Sequence, residues 1–386
     1  MNLMNRTFIN FFVAISTVFA LAVAAGAQSN PPAWNASTIY KVGDLASYVG
    51  NTFQCQINET STNRPNPHTA SWGAYFLYSG PSTIAVGPSE TFKTLEAAWN
   101  YIKDARISAN SSVTISFDAN FTENIATSFS LDHPYGSQIH IVGNHKGQGI
   151  NFNGSYGGLL IDNGNSIAEL RGFKISLAKN IQGSKGIYVG DRAHLNSLTS
   201  VDIIGFDNGV VCDDGRINDL ESLTFQGFGT NAVEAESGGS ITVNGELRID
   251  GSLATYSLSE PVGFYATEGG SIHCGSCIVS NCFVAFEAKD NGTLYADEST
   301  ANGSDSGADG YYAINHSTIL AFGATSNGFG YGFNATLDSF INAERGTANG
   351  YLTCGYNAVY GSKVGAVNNQ GGSTNSDSTS LILLEE

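Results

Sequence analysis

The stretch Gly263-Phe264-Tyr265-Ala266-Thr267-Glu268-Gly269-Gly270-Ser271-Ile272 returns as Ala285-Phe286-Glu287-Ala288-Lys289-Asp290-Asn291-Gly292-Thr293-Leu294. It returns again as Gly310-Tyr311-Tyr312-Ala313-Ile314-Asn315-His316-Ser317-Thr318-Ile319, and as Gly332-Phe333-Asn334-Ala335-Thr336-Leu337-Asp338-Ser339-Phe340-Ile341. Each copy holds an aromatic residue, a variable one and an alanine, then a turn, then an aliphatic. Outward from these copies the pattern extends over ten repeats. Aligned on the residue two before the aliphatic, it falls at Ser137, Asn165, Ala193, Gly215, Gly239, Gly270, Gly292, Ser317, Ser339 and Ser362, with steps of 28, 28, 22, 24, 31, 22, 25, 22 and 23. The aliphatics are Ile139, Ile167, Leu195, Ile217, Ile241, Ile272, Leu294, Ile319, Ile341 and Val364. One such repeat cannot bury its own apolar face, whereas stacked repeats form a continuous core. The spacing predicts an all-β solenoid of parallel coils.

A second strand precedes each turn. Its first apolar residues are Ile187, Val210, Val233, Phe264, Phe286, Tyr311, Phe333 and Tyr356. Two residues on stand Val189, Cys212, Ala235, Ala266, Ala288, Ala313, Ala335 and Ala358. Period-two alternation places these pairs inside and the intervening residue outside. That outward column contains Tyr188, Tyr265 and Tyr312, a candidate sugar-contacting face. The 46 glycines fit sharp turns, many needing φ > 0. The steps of 28 and 31 leave room for loops.

The coils resemble the right-handed parallel β-helix of pectin-lyase-like proteins, especially phage tail-spike and tail-fibre proteins, over about residues 84–366. Phe92-Lys93-Thr94-Leu95-Glu96-Ala97-Ala98-Trp99 is similar to the helix that opens such domains, and His133-Pro134-Tyr135-Gly136-Ser137-Gln138-Ile139 to the turn and strand of their first coils. The handedness is implied by this resemblance and by the chirality of parallel crossovers. Leu95, Ala98, Trp99 and Ile102 follow helical spacing behind the N-cap candidate Thr94, which predicts a capping helix near 94–105 over the open end of the stack. A homotrimer is implied by the tail-spike resemblance.

Residues 1–27 read as a secretory signal peptide: Arg6 as the only charge, an apolar run from Phe8 to Ala24, and Ala25-Gly26-Ala27 before Gln28. No later segment is long and apolar enough to span a bilayer. The expected location is secreted, at the cell surface or on a virion. A net charge of −17, with only 17 Lys plus Arg, argues against nucleic acid or an anionic membrane as partner. It disfavours a strongly anionic polysaccharide unless calcium bridges the charges. Calcium apart, no cofactor is expected.

Residues 31–79 form a small aromatic module. Trp34, Tyr40-Lys41-Val42-Gly43-Asp44-Leu45, Tyr48-Val49-Gly50-Asn51-Thr52-Phe53 and Trp72 resemble the chitin-binding modules of bacterial chitinases. Gln56-Ile57-Asn58-Glu59 replaces the adjacent tryptophan pair that many of those modules carry. Aromatic faces suit the C–H face of a pyranose, which makes Trp34, Tyr40, Tyr48 and Trp72 binding candidates. The same rings also suit the core of so small a domain. In the tail, residues 367–386, residues 367–380 read as a polar loop, and Ser380-Leu381-Ile382-Leu383-Leu384 as a last strand, a cap or a contact with another subunit.

Carboxylates recur near the turns at Asp191, Asp213, Asp214, Glu236, Glu268 and Asp290. On consecutive or alternate coils they would lie about 5 or 10 Å apart, which brackets retaining and inverting glycosidase separations. Asp213, Asp214 and Asp191 are therefore the catalytic candidates, and the same column could ligate calcium. The competing reading is turn chemistry, since these acids precede glycine in Asp213-Asp214-Gly215, Glu268-Gly269 and Asp290-Asn291-Gly292. Of the polygalacturonase-like motifs only Asp213-Asp214 matches. Cys274-Gly275-Ser276-Cys277 with Cys282 suits a disulfide or stacked thiols; the second Cys-x-x-Cys of a zinc site is missing, so no metal ligands are assigned. Three functions stand: an exported carbohydrate-binding β-helix, a polysaccharide hydrolase or lyase, and a structural tail or surface fibre.

Overall fold

The computed structural model describes residues 33, 35, 38, 45–48, 51–55, 72–73, 76–78, 80–103, 105–108, 110–144, 147–154, 157–179, 181–253, 260–304, 307–367 and 373–383. The expected signal peptide, Trp34 and Tyr40 lie outside them. The chain divides into two compact units, residues 1–79 with 104–106 and residues 80–103 with 107–386.

The larger unit is an all-β parallel solenoid of about ten turns. One face is a 13-stranded sheet running from Thr83–Val86 to Leu381–Leu383, and a second is an 11-stranded sheet from Phe129–Ser130 to Thr374–Ser376. Strand pairs in both are parallel, and register keeps like residues in columns. Ile167, Leu195, Ile217, Ile241, Ile272, Leu294, Ile319, Ile341 and Val364 stand one over the next without solvent exposure. Ile139 falls outside this column. A 3-10 turn at Gly136–Gln138 occupies the positions that the alignment assigned to strand, so Ile139 pairs with Val113 and its strand joins the next through Ile141 and Leu170.

The second inward column is a ladder of rings. Phe264, Phe286, Tyr311, Phe333 and Tyr356 stack face to face with centroids 5.3, 4.8, 4.8 and 5.3 Å apart and interplanar angles of 5°, 2°, 9° and 3°. The coil rise of about 4.8 Å sets these spacings. Buried phenols find partners: Tyr311 Oη donates to Ser299 O at 3.0 Å, and Tyr356 Oη to Gly346 O at 3.3 Å. The small column from Val189 to Ala358 is fully buried as expected, Cys212 included.

The spacing did not anticipate a third strand in each coil. It forms two five-stranded sheets, one from Thr122–Ile125 to Thr224–Gln226 and one from Arg248–Asp250 to Thr347–Asn349. In the second, all five strands are three residues long with one inward side chain, as in Thr300-Ala301-Asn302 and Thr325-Ser326-Asn327, too short for a periodic signal. The step of 31 contains the 3-10 turn Gly251–Leu253 and residues 254–259, which lie outside the described set.

The aligned glycines have a reason other than positive φ. A Cβ on Gly292 would lie 2.1 Å from Ala266 O of the preceding coil, and one on Gly239 would lie 2.1 Å from Cys212 O. Coils approach too closely there for any side chain. From Ser317 onward the column turns to serine, and Ser339 Oγ and Ser362 Oγ accept from the Ser317 and Ser339 N–H groups at 3.2 and 3.1 Å.

The expected helix is present at Leu95–Ile102, shorter than the expected 94–105, and Thr94 Oγ1 caps it by accepting from Ala97 N–H at 3.0 Å. Leu95, Ala98, Trp99 and Ile102 are its buried side, with the Trp99 ring edge-on to Phe129 at 6.3 Å. Glu123 Oε2 accepts from Leu95 N–H at 2.6 Å, a second group on the helix start. No helix among the described residues is long and apolar enough to cross a membrane.

The tail at 367–380 is not simply a loop, because Thr374–Ser376 closes the 11-stranded sheet. Leu381–Leu383 then forms the last strand of the 13-stranded sheet. In the smaller unit, Leu45–Tyr48, Asn51–Cys55 and Trp72–Gly73 form a three-stranded antiparallel sheet, and Phe76–Leu77 pairs in parallel with Ala105–Arg106.

Candidate functional site on the 11-stranded sheet

The outward side chains of the 11-stranded sheet form one registered column: Tyr188, Val211, Glu234, Tyr265, Glu287, Tyr312, Asn334, Asn357 and Asn375. The expected alternation holds, but the exposure differs. Tyr188, Tyr265, Glu287 and Tyr312 are half-buried, and Val211, Glu234, Asn334 and Asn357 are buried. Rungs about 4.8 Å apart bring each outward group against the next, so the column shields itself.

Within this column carboxylates and phenols alternate over four coils: Glu234, Tyr265, Glu287, Tyr312. The two glutamates stand two rungs apart, roughly 10 Å along the sheet. Glu234 is 7% exposed, and among the described residues its Oε2 has no hydrogen-bond partner. Burial pushes its carboxyl up to about 7, and the neighbouring Glu236 charge adds to the rise against the Asn231 amide and Lys185. Burial likewise pushes Glu287 up to about 7, with Glu260 and Asp290 reinforcing and Lys289 opposing. Asp309 is also lifted to about 7 by burial and by Glu287, although the Asn334 Nδ2 donates to its Oδ1 at 3.1 Å. Burial raises the Tyr265 phenol to about 12 and raises that of Tyr312 as well.

Below this row, Lys185 Nζ lies 3.2 Å from Glu236 Oε1 and 4.4 Å from the Tyr188 ring centroid. Tyr188 Oη donates to Asp213 Oδ2 at 2.9 Å, and burial followed by that carboxylate holds the phenol well above its ordinary range. Above the row runs an amide ladder. Asn357 Nδ2 donates to Asn334 Oδ1 at 2.7 Å, and Asn375 Nδ2 to Asn357 Oδ1 at 2.6 Å.

The three catalytic candidates lie at one corner of neighbouring coils, in different settings. Asp213 joins the column through Tyr188. Asp191 and Asp214 are exposed turn residues with φ of 49° and 50°. Their N–H groups donate to the carbonyls of Asp213 and Glu236 at 3.1 and 3.2 Å, which continues the ladder around the corner. Glu268 and Asp290 take the same left-handed conformation, with φ of 50° and 49°. Tyr188, Tyr265 and Tyr312 share a column, as expected of them. In the smaller unit, the Tyr48 backbone pairs with Asn51 and that of Trp72 with Cys55.

Sequence reasoning passed over Glu234 and Glu287. The available signal was their place: two acids, two coils apart, in a column whose other members are aromatic, aliphatic or amide. Among the described residues no three His, Cys, Asp or Glu side chains come together to hold a metal ion. Cys212, Cys274, Cys277, Cys282 and Cys354 are buried free thiols rather than disulfides, and burial with the adjacent Cys277 pushes the Cys274 thiol up. On the third face, a groove of about 360 Å³ lies where its two sheets part, lined by Leu223, Phe225, Leu247 and Arg248 among others. Compared with family models, with curated proteins and with solved structures, the chain matches none.

Proposed function

We propose that this chain binds a polysaccharide along the outward column of the 11-stranded sheet, and that the rigid solenoid displays this column outside the cell. The observation that carries the reading is the registered row Glu234, Tyr265, Glu287 and Tyr312. Phenol rings offer apolar faces to sugar C–H groups, and carboxylates between them accept from hydroxyls. Repetition along the coil axis suits a polymer better than a small compact ligand. The export pattern in residues 1–27 and the aromatic pattern of residues 31–79 support the same reading.

The test is a glycan panel presented to the purified chain. Binding is expected, and Tyr265→Ala with Tyr312→Ala is expected to weaken it about tenfold or more, since each aromatic contact is worth about 1 kcal/mol. A panel on which the folded chain binds nothing would remove the proposal.

A second reading, hydrolysis, is favoured by Glu234 and Glu287 holding protons near neutrality two coils apart. An acid and a base at roughly that separation suit an inverting displacement with water between them. Reducing ends should then appear when the bound polysaccharide is incubated with the chain, and Glu287→Gln should slow their release at least about 100-fold. A bound polymer that stays intact excludes this reading and leaves binding in place.

A further inference from the structure

We propose that the row recognises a polysaccharide bearing free amino groups, a polyglucosamine in chemical class, with ammonium groups seated at Glu234 and Glu287 and sugar rings lying on Tyr265 and Tyr312. The inference rests on the glycan-binding reading and narrows it to one kind of glycan.

Three observations lead there. The first is unbalanced charge. Asp309 and Glu287 share one end of the row, with Glu260 and Asp290 beside them, while Glu234 adjoins Glu236 and Asp207. Among the described residues Lys289 and Lys185 oppose these acids, and Lys185 is already engaged by Glu236 and the Tyr188 ring. The second is Glu234 Oε2, an acceptor on a side chain 7% exposed that finds no donor among the described residues. A buried acceptor without a donor costs free energy. An ammonium carries three donors and no acceptor, which is the complement this oxygen lacks. The third is the alternation itself. Each carboxylate has a phenol on the adjacent rung, so a cationic sugar meets a charge and a ring face within one coil rise, and the ring also attracts the cation.

Other glycans fit less well. A polyuronate brings no donor cation to these acids and would keep them protonated. An acetylated amino sugar offers one amide N–H in place of three charged donors, and leaves the acids unneutralised. The charged ligand also makes a demand on protons. Glu234 and Glu287 hold protons near neutrality in the free chain and must release them to pair with ammonium.

The experiment compares chitosan oligomers, their fully N-acetylated counterparts, polygalacturonate and polylysine by calorimetry on the full chain, in two buffers of different ionisation enthalpy. Chitosan is expected to bind at least about tenfold more tightly than the acetylated form, to weaken with salt, and to release protons on binding. The double variant Glu234→Gln, Glu287→Gln should lose both the preference and the proton release while still binding the acetylated oligomer. Equal affinity of the unaltered chain for the two oligomers overturns the inference and leaves the glycan-binding reading standing. Binding of no glycan at all overturns both. Polylysine bound as tightly as chitosan also overturns the inference, since the row would then read charge without sugar.

Discussion

Phe286→Ala is expected to destabilise the solenoid by about 3–5 kcal/mol, read as a lower urea midpoint at unchanged slope. The ring is fully buried and stacks on Phe264 at 5.3 Å and on Tyr311 at 4.8 Å. Its removal therefore empties both of its faces at once. Relaxation cannot close the gap, because the ladders on either side fix the rungs at about 4.8 Å. In a stack held by nearest neighbours, the loss falls on two coil interfaces rather than one. Phe286→Tyr is the control. Tyr311 and Tyr356 show that the column accepts a hydroxyl where a carbonyl lies within reach, so this change should cost far less than the truncation. A loss under about 1 kcal/mol for Phe286→Ala would mean that the stacked rings do not hold the coils together.

Stability is expected to fall as pH rises from about 4.5 to about 7, the interval over which Glu234 is displaced. The carboxyl of Glu234 keeps its proton in the folded chain up to about 7, whereas in the unfolded chain it releases it near 4.5. Below that interval both states hold the proton and Glu234 takes nothing from the stability of the folded chain. Within it only the folded state does, so each rise in pH draws the equilibrium towards the unfolded chain. Glu287 and Asp309 shift in the same direction and add to the slope. Glu234→Gln removes one contribution. The variant should gain on the order of 2 kcal/mol over the unaltered chain at mildly alkaline pH, and nearly nothing in acid, by thermal or urea unfolding across the range. If the variant and the unaltered chain follow the same pH profile, Glu234 is not buried as described.

The core could be read from the sequence because it repeats. The aliphatics from Ile167 to Val364 and the rings from Phe264 to Tyr356 face identical surroundings in successive coils, so physics selects the same residue type each time. The helix was legible for a different reason: its cap and its four buried positions lie within nine residues of one another. The third face was not, since a three-residue strand with one inward group carries no period. The candidate row was hidden by the same logic that revealed the core. Turn acids such as Asp290 and Glu268 repeat because the corner takes a left-handed conformation, and that recurrence made them visible in the sequence. Glu234 and Glu287 do not recur from coil to coil, and their burial depends on what stacks beside them. That information lies in three dimensions, between rungs more than twenty residues apart.

The interruption of the third face has a mechanical consequence. Elsewhere along much of the stack three ladders tie one coil to the next, but between Thr224–Gln226 and Arg248–Asp250 the third ladder is missing and two carry the load. Stiffness across that level is lower, and bending concentrates there, towards or away from the side where the ladder is absent. Glu234 belongs to the strand Asn231–Glu236 on the near side of this compliant joint, and Tyr265, Glu287 and Tyr312 belong to strands beyond it. Were a polymer to lie along the row as proposed, it would span the flexure and splint it.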